Sequence, residues 1–115
     1  GKGNQIREWI YVQDHVDAIL HILKFGKIGQ SYNIGSGFEI ENIKLVKQIC
    51  RIYNKLSKSS FNTIKLIKYV QDRPGHDFRY ALSSKKIKSL KWKNKYNFEI
   101  SLTRTIMWYI NNIKK

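Results

Sequence analysis

Hydrophobic positions along the chain change period several times, and each change marks an element. "REWIYV" (7–12) is almost continuously apolar after its charged start and rich in aromatic and branched residues, which predicts a strand buried on both faces. Asp14 then reads as an N-cap, with Asp17 in the first helical turn, where the helix dipole favours a carboxylate. Val16, Ile19, Leu20 and Leu23 recur at i, i+3, i+4 and i+7 as one apolar stripe, and Gly26 supplies a left-handed residue to stop that helix. "SYNIG" (31–35) predicts a short strand running into the flexible Gly35-Ser36-Gly37. Asn42 caps a second helix with its stripe through Val46, Ile49, Cys50 and Tyr53. "NTIKLIKYV" (62–70) is β-rich, and "RYAL" (79–82) is a short extended piece. Ser83 or Ser84 caps a short helix through Leu90. "EISLTRTIMWYINNI" (99–113) is a last helix with Leu102, Ile106, Tyr109 and Ile113 on one side. The predicted class is α/β, with α+β as the alternative, in a single domain over 1–115.

Composition narrows the class of protein. The 115 residues, 42% hydrophobic and 26% charged, suit one globular domain with room for one core. No apolar run reaches the length that spans a bilayer, so no membrane association is expected. A single cysteine, Cys50, lies in a helical apolar pattern, which suits the cytoplasm and excludes an internal disulfide framework. The net charge of +14 invites a nucleic-acid reading. However, the lysines are spread from Lys24 to Lys115 without a stripe or recognition motif, which makes that reading the weaker one.

Motifs for catalysis are sparse. Gly35-Ser36-Gly37 is followed by Phe38, Glu39 and Ile40, so the third glycine of a dinucleotide fingerprint is missing and a plain turn is the better reading. His15 and His21, near Asp14 and Asp17, are six apart and do not share a helix face, so no metal site is expected. What remains is "VQDRPGHDFRY" (70–80). Pro74 stiffens the backbone and biases Arg73 toward an extended conformation, while Gly75 permits a sharp turn. Arg73 and His76 are thereby presented from a rigid loop in a manner suited to a diphosphate. The competing reading is a surface turn in which Asp72, Asp77, Arg73 and Arg79 neutralise one another.

Four stretches tip the balance: "GKGNQIREWIYVQDHVDAI", "GQSYNIGSGFEIENIKLVKQI", "VQDRPGHDFRYAL" and "NFEISLTRTIMWYI". In order and spacing they resemble the C-terminal third of dTDP-glucose 4,6-dehydratases, extended short-chain dehydrogenase/reductases of nucleotide-sugar metabolism. "REWIYVQDH" and "YNIGSG" point to the superfamily, whereas "DRPGHDFRYAL" is narrower, although related GDP- and UDP-sugar enzymes carry similar loops. The resemblance implies that Arg7 holds the nucleotide diphosphate, that Arg73 and His76 belong to a loop closing over it, and that Asn33 lies near the nucleotide. Structural alternatives remain, since Arg7 could pair with Glu8 or Asp14 and Asn33 could satisfy backbone groups at a strand end.

The same resemblance implies a lyase chemistry carried elsewhere. In such enzymes a Rossmann domain holds NAD, which oxidises C4 of the hexose before water leaves across C5 and C6 and hydride returns to C6. This chain has no glycine-rich NAD loop and no tyrosine followed four positions later by lysine. It is expected to bind no NAD and to be inactive alone, contributing diphosphate contacts for a dTDP-sugar beside an N-terminal Rossmann partner. The start at "GKGNQ" resembles the downstream product of a split or truncated gene. A noncatalytic basic or structural domain that kept the fold is the alternative. Lys2 and Lys91 depart from the family's "GDG" and "LGW", and "KNKY" (93–96) lacks its proline, which suggests relaxed constraint. Without a Rossmann partner, Trp9, Ile10, Tyr11 and Ile34 are expected to form an uncovered face that drives homodimerisation.

Overall fold

The computed structural model describes residues 1–58 and 60–113. A three-stranded sheet in the order β2-β1-β3 sits at its centre. Strand β1 (Ile6–Glu8) pairs antiparallel with β2 (Glu39–Glu41), placing Arg7 opposite Ile40, and parallel with β3 (Arg79–Tyr80), placing Arg7 opposite Tyr80. Four helices surround it: α1 (Val12–Phe25), α2 (Asn42–Ser57), the one-turn α3 (Lys85–Ser89) and α4 (Phe98–Asn112). The mixture of helices and a small sheet matches the expected class.

Local chemistry explains most boundaries. Asn97 caps α4 by accepting hydrogen bonds from the backbone N–H of Glu99 at 2.9 Å and of Ile100 at 3.5 Å. Ser84 stands at the N-terminus of α3, as expected, but its hydroxyl donates to the Gly35 carbonyl at 3.2 Å and ties the helix to the 31–37 segment. Asn42 begins α2 and does not cap it; Glu41 occupies that position in extended backbone without a side-chain cap. Lys91 has φ +66°, so the left-handed helix stop expected at "LKW" is present and a lysine fills it.

Several expectations fail for identifiable reasons. The first strand ends at Glu8 because its neighbours have only three and two residues to pair with, and its residues are half-buried, not enclosed on both faces. "SYNIG" forms no strand; the sheet instead takes up Glu39–Glu41. The β-rich 62–70 stretch contains a 3-10 turn (Thr63–Leu66), started by Asn62 accepting from the Ile64 N–H at 3.1 Å. Asp14 lies inside the first turn of α1 and is almost fully buried, because its carboxylate accepts from the backbone N–H of Lys95 at 2.8 Å and of Tyr96 at 3.3 Å. Gly26 has φ −73° and is not left-handed; a Cβ there would come within 2.5 Å of the Ile22 carbonyl oxygen, so close approach selects the glycine.

The core is small. Ala18, Ile87 and Trp92 form its centre, with Ile10, Ile22, Tyr32 and Ile34 packed against it. Leu45 and Ile106 are buried where α2 meets α4. Ile10 and Ile34 are therefore partly covered by the chain itself, and Tyr11 rests edge-on against Tyr96 at 5.1 Å between ring centroids. Of the four residues expected to form an uncovered face, Trp9 alone is exposed. The exposed apolar surface includes the predicted stripe of α1, Val16, Ile19, Leu20 and Leu23. That helix turns Asp14 and Ala18 inward, since the alanine lets it approach Ile87 and Trp92 closely.

Candidate functional site

The 70–80 loop folds back over β1 and supplies β3. Pro74 and the left-handed Gly75 (φ +68°) occupy the two central positions of a tight turn closed by the His76 N–H donating to the Arg73 carbonyl at 3.3 Å. That is the turn in which proline fixes the first central residue and glycine the second. The loop is anchored at its base, where the Ile6 N–H donates to the Phe78 carbonyl at 2.8 Å and the N-terminal amine of Gly1 donates to the Val70 carbonyl.

This turn brings His76 to Arg7. Arg7 Nη2 lies 2.9 Å from His76 Nε2 and donates to the Asp77 carbonyl at 3.0 Å; Nη1 donates to the carbonyls of Ile6 at 2.7 Å and Phe78 at 3.4 Å. The guanidinium carbon stands 4.5 Å from the centre of the Tyr80 ring. Neither Glu8 nor Asp14 pairs with Arg7 among the described residues. Glu8 instead accepts from the backbone N–H of Gly37 at 2.5 Å and of Leu82 at 3.0 Å. The charge of Arg7 is thus held by carbonyls and a ring but not neutralised by a carboxylate.

Mutual neutralisation within the turn does not occur either. Asp72 bonds His76 Nδ1 at 2.6 Å and accepts from the Gln5 amide; Asp77 accepts from the Tyr80 hydroxyl; Arg79 forms a two-pronged pair with Glu39 across the sheet at 2.6 and 2.7 Å. The His76 hydrogen bond holds the Asp72 carboxyl below its usual range, and the Asp77 hydrogen bond pushes the Tyr80 phenol up. Every acidic residue of the turn has a partner other than Arg73. The Arg73 side chain, exposed beside Pro74, makes no hydrogen bond or ion pair among the described residues. The loop that carries Arg73 meets Arg7 through His76, and together they form a basic patch.

Arg7, Glu8, Ile34, Gly35 and Tyr80 line a cleft of about 270 Å³ beside that patch. Asn33 is exposed, next in sequence to the cleft residues Ile34 and Gly35, and its side chain makes no hydrogen bond among the described residues. The structure thus brings Arg7 and His76 into contact, sets Arg73 at the first position of the turn that His76 closes, and shows no contact from Asn33 to any of the three among the described residues. Sequence reading passed over Gln5, Asp72 and Tyr80 as site residues. Strand alternation offered a signal for the first, because residues two apart on an extended chain share a face and Gln5 stands two before Arg7.

Elsewhere the candidate chemistry dissolves into structure. His21 contacts the Leu90 carbonyl at 2.8 Å and Asp17 pairs with Lys95 at 3.0 Å, and no group of three or more potential metal ligands occurs among the described residues. The glycine turn does not suit a dinucleotide, because the Gly37 N–H already points at the Glu8 carboxylate and a Cβ on Gly35 would fall 2.4 Å from the same group. An anionic side chain occupies the place where a diphosphate would need donors. Among the described residues no helix is long and apolar enough to cross a membrane.

The family model for GDP-mannose 4,6 dehydratase matches residues 1–105. A dTDP-glucose 4,6-dehydratase of Escherichia coli is 47% identical over 97% of this chain and 32% of its own length, and that of Haemophilus influenzae is 44% identical over 97% and 35%. Among solved structures, the dTDP-glucose 4,6-dehydratase of Bacillus anthracis in complex with NAD superposes with a TM-score of 0.80 at 41% identity, covering 97% of this chain and 33% of the other. The enzyme from Streptomyces venezuelae with NAD and TYD bound gives 0.79 at 34% identity, with the same coverage. The chain spans about a third of the length of the relatives it matches. With the fold, the loop and nearly the whole sequence in agreement, the chain belongs to the nucleotide-sugar dehydratase family of extended short-chain dehydrogenase/reductases, on the dTDP-glucose 4,6-dehydratase side of it.

Proposed function

We propose that this chain, as one domain, supplies nucleotide-diphosphate contacts of a dTDP-glucose 4,6-dehydratase and runs no reaction by itself. Arg7 and Arg73 carry the diphosphate, His76 stands with Arg7 at the same place, and Asn33 lies toward the nucleotide. The observation that carries this reading is the Pro74-Gly75 turn, which brings His76 to Arg7 and presents Arg73 from the same loop, both arginines lacking a carboxylate partner among the described residues while the acids of the turn are engaged by other groups. Leaving a guanidinium unneutralised stores affinity for an anion, and phosphate oxygens accept its paired donors well. The relatives from B. anthracis and S. venezuelae hold NAD, whereas this chain is expected to bind none by itself, because Glu8 closes its own glycine turn. The setting is the cytoplasm, where nucleotide sugars and an unpaired Cys50 both fit.

Calorimetric titration with dTDP tests the site. Weak saturable binding is expected, and Arg73→Ala and Arg7→Ala should each weaken it by roughly 1.5 to 3 kcal/mol, the scale of a hydrogen bond to a charged group. Arg73→Ala is the cleaner variant, because it breaks no side-chain hydrogen bond among the described residues. Equal binding by the wild type and both variants assigns the arginines to structure and overturns the reading.

A further inference from the structure

The contact between Arg7 and His76 fixes more than proximity. A guanidinium has donors only, so the 2.9 Å approach of Arg7 Nη2 requires His76 Nε2 to accept. The ring proton then sits on Nδ1, which donates to Asp72 Oδ1 at 2.6 Å. Asp72 is fixed in turn, since buried Gln5 donates its side-chain amide to Oδ2 and the Arg73 N–H donates to Oδ1 at 3.0 Å. A chain of hydrogen bonds thus runs from a buried amide, through a carboxylate and a neutral imidazole, to the cation.

We propose that Gln5, Asp72 and His76 form a positioning relay for Arg7, and that His76 acts on a bound diphosphate through Arg7 without donating to it. This rests on Arg7 being a diphosphate contact. The imidazole has no proton to offer on the side that faces Arg7, and its other nitrogen is committed to Asp72. The relay orders a long, flexible side chain during folding, so less ordering entropy is lost when an anion arrives. It also couples the two arginines, because the carboxylate that orients His76 accepts from the backbone of Arg73. A ring carrying its proton on Nε2 would set N–H against N–H and release the guanidinium.

The test reads the ring nitrogens directly, in the full chain labelled with nitrogen-15 at histidine. Two-bond proton–nitrogen correlations in the free protein should show His76 with Nδ1 protonated and Nε2 bare. The Nε2 resonance should move in Arg7→Ala, and the Nε2-protonated form should become dominant in Asp72→Leu. Asp72→Asn, which keeps an acceptor oxygen, should retain the wild-type tautomer. For dTDP, Asp72→Leu should raise the dissociation constant about three- to tenfold, as expected for loss of one orienting hydrogen bond, with Asp72→Asn recovering most of it. A protonated Nε2 in the wild type, or a His76 spectrum indifferent to Arg7→Ala, overturns the relay. Failure of the wild type to bind dTDP while the tautomer is as stated contradicts the diphosphate reading and leaves the relay standing.

Discussion

At the residue scale, Lys91 shows what a local departure costs. Its φ of +66° lies where a Cβ is strained, so glycine is favoured by roughly 1 kcal/mol. Lys91→Gly should raise unfolding stability by about that amount in urea titration, and an unchanged midpoint would show that the lysine side chain makes up the difference. In the sequence this position was marked by its departure from the "LGW" of the family that the chain resembles, where a glycine suits the left-handed helix stop. Arg7 was less so. Apart from the neighbouring Ile6 carbonyl, its partners, the carbonyls of Asp77 and Phe78 and the His76 ring, are brought in by a loop about seventy residues away, and no local pattern around Arg7 announces them. The pairing with Glu8 suggested by adjacency is not made, because the Glu8 carboxylate accepts from the backbone N–H groups of Gly37 and Leu82.

At the element scale, two sets of contacts hold the pieces together. Asp14 joins α1 to the 95–96 backbone, and Asp14→Ala leaves two N–H groups without their acceptor. We expect a loss of roughly 1.5 to 3 kcal/mol, read as a lower urea midpoint, whereas a loss under about 0.5 would reduce the carboxylate to a spectator. The second set is exposed and acid-labile. Hydrogen bonds from Lys95, Arg79 and His76 hold Asp17, Glu39 and Asp72 below their ordinary values of 3.8 for aspartate and 4.5 for glutamate. Because the folded values are depressed, these contacts stabilise fully above the unfolded values and are lost as pH falls through the folded ones. Stability should therefore hold level down to about pH 4.5 and fall below it; a midpoint flat to about pH 3 would contradict the assignment. Helices α2 and α4 were readable because long amphipathic periods survive in the fold. Of the strands, β3 falls within the extended "RYAL" and β1 overlaps "REWIYV", whereas β2 was missed because its three residues carry no periodicity.

At the scale of the whole molecule, the chain has more surface than a closed domain of its mass. Its accessible area is 9036 Å². A monomer of 13.7 kDa is expected near 6,600 Å², leaving roughly 2,400 Å² in excess. The radius of gyration of 17.0 Å likewise exceeds the roughly 13 Å of a compact chain of this length. The excess is of interface size, and it includes the α1 stripe and a groove of about 700 Å³ flanked by Trp9, Tyr11, Ile49, Leu102 and Trp108. Alone, the chain should self-associate, more so as salt screens its charge of +14, and sedimentation that shows a monomer at every ionic strength would contradict this. The sequence pattern revealed the stripe but not its direction, because a period identifies an apolar face and only the fold decides what meets it. The central claim, a diphosphate half-site without a catalytic half, is tested most directly by phosphorus NMR of dTDP-glucose mixed with NAD and the purified chain. The account predicts diphosphate resonances broadened by the wild type, not by Arg73→Ala, and no 4-keto-6-deoxy product; unperturbed resonances, or product formed by a preparation free of host enzyme, would contradict it.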